Sequence, residues 1–184
     1  ILTMLLVLAL ASCESERLQE KDFDVIISNG ILYDGLGNEP IKSDIGITGE
    51  YISQIGDLAN FTSKQHIDAE NMVVAPGFIN MLSWATQPLL VDGRALSDIK
   101  QRVTLEIMGE GNSMGPLNDA MKISMKEKQS NIKYDVTWTT LNEYLERIVD
   151  QGVSVNVASY VGATTVRIHE LGYINRKPTP VELK

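Results

Sequence analysis

The sequence has one cysteine in 184 residues, so no internal disulfide can form. Base is scarce: 16 Lys and Arg stand against 24 Asp and Glu, a formal net charge of -8. That balance argues against nucleic acid as a partner, which would want a basic face. There are two histidines, His66 and His169. Neither has a partner at metal-ligand spacing, and each reads as a surface or packing residue. No phosphate-binding loop, dinucleotide glycine fingerprint, Gly-x-Ser-x-Gly elbow or Cys-x-x-Cys pair occurs. What remains is ordinary for a globular chain: 43% of residues are apolar and 22% charged.

The chain opens on an apolar run, Ile1 to Ala11, broken only by Thr3. As a helix it would rise about 16 Å, short of a bilayer core of about 30 Å. It fits the apolar region of a signal peptide without its basic start. Leu10-Ala11-Ser12-Cys13 has the form of a lipobox, with Cys13 the residue acylated. A charged stretch, residues 14–21, reads as a tether. Lipid on Cys13 would make the protein an exported, membrane-anchored lipoprotein, periplasmic or on the cell surface. The alternative is a short buried helix that ends in Cys. With no initiating Met, the chain reads as a fragment.

Residues 22–75 carry short strands and tight turns. Phe23–Ile27, Ile31–Tyr33, Asp44–Ile47, Tyr51–Ile55, His66–Asp68 and Met72–Val74 read as six strands. Asn29-Gly30 and Gly49-Glu50 supply turns. This spacing predicts a small β-sandwich. From residue 76 the rhythm changes. Strands are expected at Phe78–Leu82, Val103–Met108 and Val153–Tyr160, and helices at Ser97–Arg102, Leu117–Lys128 and Thr139–Gln151. Alternating strands and helices predict parallel β/α units. Three strands cannot close an eight-stranded barrel.

The order of these segments resembles the amidohydrolase superfamily. The matching run goes from strand-Asn29-Gly30-strand through Asp44-Ile45-Gly46-Ile47 to Val73-Val74-Ala75-Pro76-Gly77-Phe78-Ile79. Val103-Thr104 before a strand ending in Gly109, Ser113-Met114-Gly115-Pro116, Trp138 to Leu145, and Gly152 to Gly162 followed by Thr165-Val166-Arg167 are similar to the N-acyl-D-amino-acid deacylase (D-aminoacylase) branch. The resemblance implies an α/β fold with a small β-sandwich: a composite β domain, residues 22–75, leading into an incomplete metal-dependent-hydrolase (β/α)8 TIM barrel, residues 76–184. Segments 1–13 (signal peptide with lipobox) and 14–21 (tether) precede it.

Three departures from the branch stand out. Its first barrel strand ends in His-x-His, two imidazoles aimed the same way at one zinc. Here Leu82 and Trp84 occupy those positions around Ser83, and Asn80 replaces the preceding aspartate. Neither Leu82 nor Trp84 can donate a lone pair to a metal. The branch's cysteine ligand after the second strand is also missing: Gly109-Glu110-Gly111-Asn112 stands there. A register without gaps puts Gly111 at the cysteine. Glu110 is the candidate metal ligand if the loop shifts by one residue, and a solvated loop carboxylate otherwise. The common Val-Gly-His reads Val161-Gly162-Ala163. Glu106, inside the second strand, falls by alternation on the face of Glu110. Facing inward it needs a partner or a raised pKa; facing outward it is solvated.

The resemblance therefore implies a hydrolase of linear C–N amide bonds in small molecules, with zinc-activated water as the nucleophile. One zinc would be held by histidines beyond this chain, with Glu110 as a candidate fellow ligand, and a further aspartate would shuttle the proton. No catalytic residue is expected within the 184 residues, and the chain alone is expected to be inactive. A second reading keeps the barrel but has Leu82 and Trp84 fill the emptied metal site as an apolar wall. A third is a non-catalytic binding lipoprotein without metal.

Overall fold

The computed structural model describes residues 22–183. The signal segment 1–13 with Cys13, and the tether 14–21, lie outside the described residues. The chain divides into two compact units, one ending at Pro76 and one beginning at Gly77.

The first unit holds β1 (Phe23–Ser28), β2 (Ile31–Leu32), β3 (Ile41–Lys42), β4 (Asp44–Thr48), β5 (Tyr51–Gly56), β6 (Ser63–Asp68) and β7 (Val73–Val74). They form a four-stranded sheet, β5-β4-β1-β6, and a three-stranded sheet, β3-β2-β7. Pairing is mixed: β1 runs antiparallel to β4 and parallel to β6. Asn29 takes φ 63° in the turn after β1, as its Asn-Gly sequence suggests. Gly30 is required by close approach, since a Cβ there would lie 2.6 Å from Val74 Cγ2. Phe23, Ile26 and Leu58 are buried together, and the Phe23 ring meets Phe61 at 5.6 Å. One strand exceeds the sequence reading. Ile41–Lys42 pairs with β2 although two residues carry no readable alternation.

The second unit holds β8 (Phe78–Asn80), α1 (Leu96–Lys100), β9 (Val103–Met108), α2 (Asp119–Glu127), α3 (Leu141–Gln151), β10 (Asn156–Ser159) and α4 (Ala163–Leu171). The three strands are parallel, in the order β10-β9-β8. The sheet is open, and no closed barrel occurs among the described residues. α3 follows from its sequence. Thr140 Oγ1 accepts from the Glu143 amide while Glu143 returns a bond to the Thr140 amide, a capping box. Tyr144 and Ile148 lie one turn apart on its buried stripe, and Gly152 at φ 94° ends it.

That stripe packs into the main core with Leu89, Met108, Leu117 and Trp138. Met121 and Met125 of α2 pack against the same core. Trp138 is 2% exposed, and its indole N–H donates to Met114 O at 2.5 Å. Burying an aromatic ring of this size contributes roughly 4–6 kcal/mol of gross transfer energy before entropy is counted. Among the described residues, no helix is long and apolar enough to cross a membrane.

Candidate active site

In a parallel α/β sheet, sites form at the carboxyl ends of the strands. β8 stops at Asn80, short of the expected Leu82, because the Asn80 side chain captures the next amides: its Oδ1 accepts from Leu82 N at 3.2 Å. The following turn is pinned to β9 by Ser83 N donating to Ile107 O at 2.9 Å. Ser83 is buried, and its hydroxyl accepts from Ala85 N at 3.1 Å. With Ser83 inside, Leu82 and Trp84 are 54% and 70% exposed. The two positions of the missing imidazoles thus stand together on the open side of one turn.

β9 ends at Met108, and Gly109 turns the chain at φ 85°. A Cβ on Gly109 would lie 2.2 Å from Tyr160 O, so only glycine fits. Glu110 follows in the loop and is exposed. Leu82, Trp84, Glu110, Asn112, Ser113, Met114, Met125 and Thr165 are among the residues that line a cavity of about 240 Å³. Ligand pockets for drug-sized molecules run from about 300 to 1,000 Å³, so this one suits a single substituent of a substrate.

Its floor is a buried polar knot. Ser113 N donates to Thr165 Oγ1 at 2.8 Å, and the Thr165 hydroxyl donates back to Ser113 O at 3.2 Å. The Ser113 hydroxyl donates to Gly115 O at 2.6 Å and accepts from Gly162 N at 2.9 Å. This knot ties the loop after β9 to the start of α4, and the sequence reading missed it. Ser113 and Thr165 each stood in a segment that resembled the deacylases, but nothing in the sequence paired them.

The expectation that Glu106 and Glu110 share a face needs correction. The positive φ of Gly109 breaks the strand's alternation. Glu110 lines the cavity, whereas Glu106 is 0% exposed in the interior. Glu106 Oε2 accepts from Asn80 Nδ2 at 3.0 Å, and Oε1 has no partner. Burial, followed by the repulsion of Asp98, holds its carboxyl above the usual range.

The two histidines are elsewhere. His66 Nε2 meets Ser28 Oγ at 2.8 Å in the first unit. His169, on α4, meets Glu170 at 2.7 Å. Among the described residues no three His, Cys, Asp or Glu side chains are grouped to hold a metal ion. Glu110 is a lone carboxylate opposite an indole and an isobutyl group. The described residues do not by themselves make a zinc site.

Comparison with known proteins agrees with the fold. No family model matches the chain. A D-aminoacylase of Alcaligenes xylosoxydans xylosoxydans is 28% identical over 165 residues, 88% of this chain and 33% of that relative. An N-acyl-D-glutamate deacylase of the same organism is 44% identical over 63 residues, 34% of this chain and 13% of that relative. A crystal structure of D-aminoacylase, described as defining a novel subset of amidohydrolases, superimposes with TM-score 0.73 at 28% identity, over 88% of this chain and 34% of that one. The N-acyl-D-glutamate deacylase of Bordetella bronchiseptica, complexed with zinc and a phosphonate inhibitor, gives TM-score 0.70 at 26% identity, over 89% of this chain and 34% of that one. The homologues and structural neighbours thus include D-aminoacylase and N-acyl-D-amino-acid deacylases. The chain spans about a third of the length of these relatives.

Proposed function

We propose that this chain is the opening segment of a hydrolase that cleaves the amide bond of N-acyl-D-amino acids. The observation that carries the reading is the cavity at the carboxyl ends of β8 and β9, in a chain whose relatives are D-aminoacylases and N-acyl-D-amino-acid deacylases. Leu82, Trp84, Met114 and Met125 offer an apolar surface to an acyl group. Glu110, Asn112 and Ser113 supply the polar side. A zinc ion would have Glu110 as one ligand at most, and the other ligands and the proton-shuttling acid would come from outside the described residues.

The test is release of free amino acid from paired N-acyl-D and N-acyl-L substrates by the full-length protein. Hydrolysis of the D series in preference to the L series is the expected result. No hydrolysis of either, with zinc supplied, would defeat the reading. The 184-residue chain alone is expected to be inactive in the same assay, with or without zinc.

A non-catalytic, substrate-binding lipoprotein is the second reading, and the replacement of both imidazoles by Leu82 and Trp84 favours it. Metal analysis separates the two: about one zinc per full-length chain for the enzyme, none for the binding protein. Either protein would be exported and held at the membrane by lipid on Cys13. Incorporation of labelled fatty acid that persists in Cys13→Ser would refute the anchor.

A further inference from the structure

Glu106 lies in the central strand of the sheet, in register with Asn80 on one side and Val157 on the other. A valine would suit that place, since strands favour β-branched residues and a buried carboxyl with an orphaned oxygen costs stability. Glu106 Oε2 accepts from Asn80 Nδ2 at 3.0 Å, and Ser83 and Asp98 also face the carboxyl. Asn80 uses its amide nitrogen for Glu106 and its amide oxygen for Leu82 N. The carboxyl therefore fixes which way the Asn80 amide faces. If that amide turned over, its NH2 group would meet the Leu82 N–H and both bonds would be lost. Asn80 holds one end of the Leu82–Trp84 turn, and Ser83 holds its middle through Ile107 O. Asp98 on α1 is the charged group facing Glu106 from the neighbouring helix, and Ser83 is the hydroxyl.

We infer that Glu106 is a positioning residue: through Asn80 it sets the Leu82–Trp84 wall, and with it the length of acyl group that the cavity admits. The part about the acyl group rests on the deacylase reading above; the positioning of the wall does not.

The test uses the full-length protein carrying Glu106→Val, Glu106→Gln or Asn80→Ala. Hydrogen exchange is followed in peptides covering residues 81–86, with α3 as the internal control. Glu106→Val and Asn80→Ala should exchange about fivefold faster in 81–86, the ratio set by one net hydrogen bond. α3 should not change. Glu106→Gln keeps an acceptor for Asn80 and should match the parent. The same proteins are assayed on N-acetyl, N-butyryl and N-hexanoyl D-amino acids. Glu106→Val should move the hexanoyl-to-acetyl ratio of kcat/KM by about tenfold, the discrimination that one misfitted methylene carries. That change should lie in KM, and Glu106→Gln should rescue it.

Unchanged exchange in 81–86 overturns the inference. Should Glu106→Val fail to fold, Asn80→Ala severs the same relay at a partly exposed residue, and unchanged exchange there overturns it equally. Faster exchange with an unmoved ratio overturns the specificity claim. Faster exchange in a protein that hydrolyses none of the series upholds the positioning and defeats the deacylase reading instead.

Discussion

Replacing Glu106 by Gln should stabilise the protein at neutral pH and leave it unchanged in acid. The carboxyl is 0% exposed, and its burial and the repulsion of Asp98 outweigh the bonds it accepts from Ser83 and Asn80. The folded state therefore holds this proton more tightly than the unfolded chain, where the group titrates near 4.5. Between that value and the raised folded one, the folded state binds more protons, so stability falls as pH rises. Below the window both forms are protonated and the penalty is absent; above it the penalty is complete. Its size is that of a buried, unsatisfied polar group, on the order of 1–3 kcal/mol or more when ionised. Gln keeps the acceptor for Asn80 and carries no charge. Thermal denaturation from pH 4 to pH 8 reads the effect as a difference in Tm between variant and parent. The difference should be near zero at pH 4 and reach several degrees by pH 8, at about 2–4 °C per kcal/mol for a domain of 150–250 residues. A parent more stable than the variant at pH 8, or a difference that ignores pH, would refute the reasoning. Either result would mean an ionised Glu106 with partners that satisfy it.

Three further substitutions probe the frame around the cavity, each read by thermal or urea denaturation. Gly109→Ala forces a side chain into φ 85° and within 2.2 Å of Tyr160 O, so a loss of roughly 1–3 kcal/mol is expected, with displacement of the Glu110 loop; an unchanged midpoint would mean the loop does not hold this turn. Thr140→Ala removes the cap of α3 and should cost about 1 kcal/mol, which Thr140→Ser should largely restore. Tyr144→Phe strands the carbonyl of Thr86, which now accepts from the phenol at 2.7 Å, and should cost about 1–3 kcal/mol without altering the pH at which stability peaks.

The parts of the fold written in local signals were legible. α3 has a cap, a 3.6-residue apolar stripe and a closing glycine within thirteen residues, and the helix formed between them. β9 showed as an apolar run between turns and β10 as its parallel partner, although β10 is trimmed to Asn156–Ser159 because Ser154 N bonds Gly93 O before the ladder begins. β3 was not legible, since two residues have no period and only pairing with β2 makes them a strand. The end of β8 turned on one side chain: Asn80 takes the Leu82 amide, where an apolar residue would have let the strand run on.

The candidate site divides along the same line. Leu82, Trp84 and Glu110 were marked by resemblance, and the structure brings all three to one cavity. Ser113 and Thr165 hold its floor from positions 52 residues apart, and no spacing rule links two small hydroxyls at that distance. Glu106 shows why the remainder was closed to sequence reasoning. A carboxylate in an apolar strand is a conflict between local pattern and residue type, and such conflicts gather where a protein gives up stability for a site. Alternation placed Glu106 on the face of Glu110, and that inference failed at one φ angle, in Gly109. Direction along a strand extrapolates for as long as the strand lasts. Beyond a left-handed glycine it carries no information, and the two glutamates part there: Glu110 to the mouth of the cavity, and Glu106 to the bond with Asn80 beneath its wall.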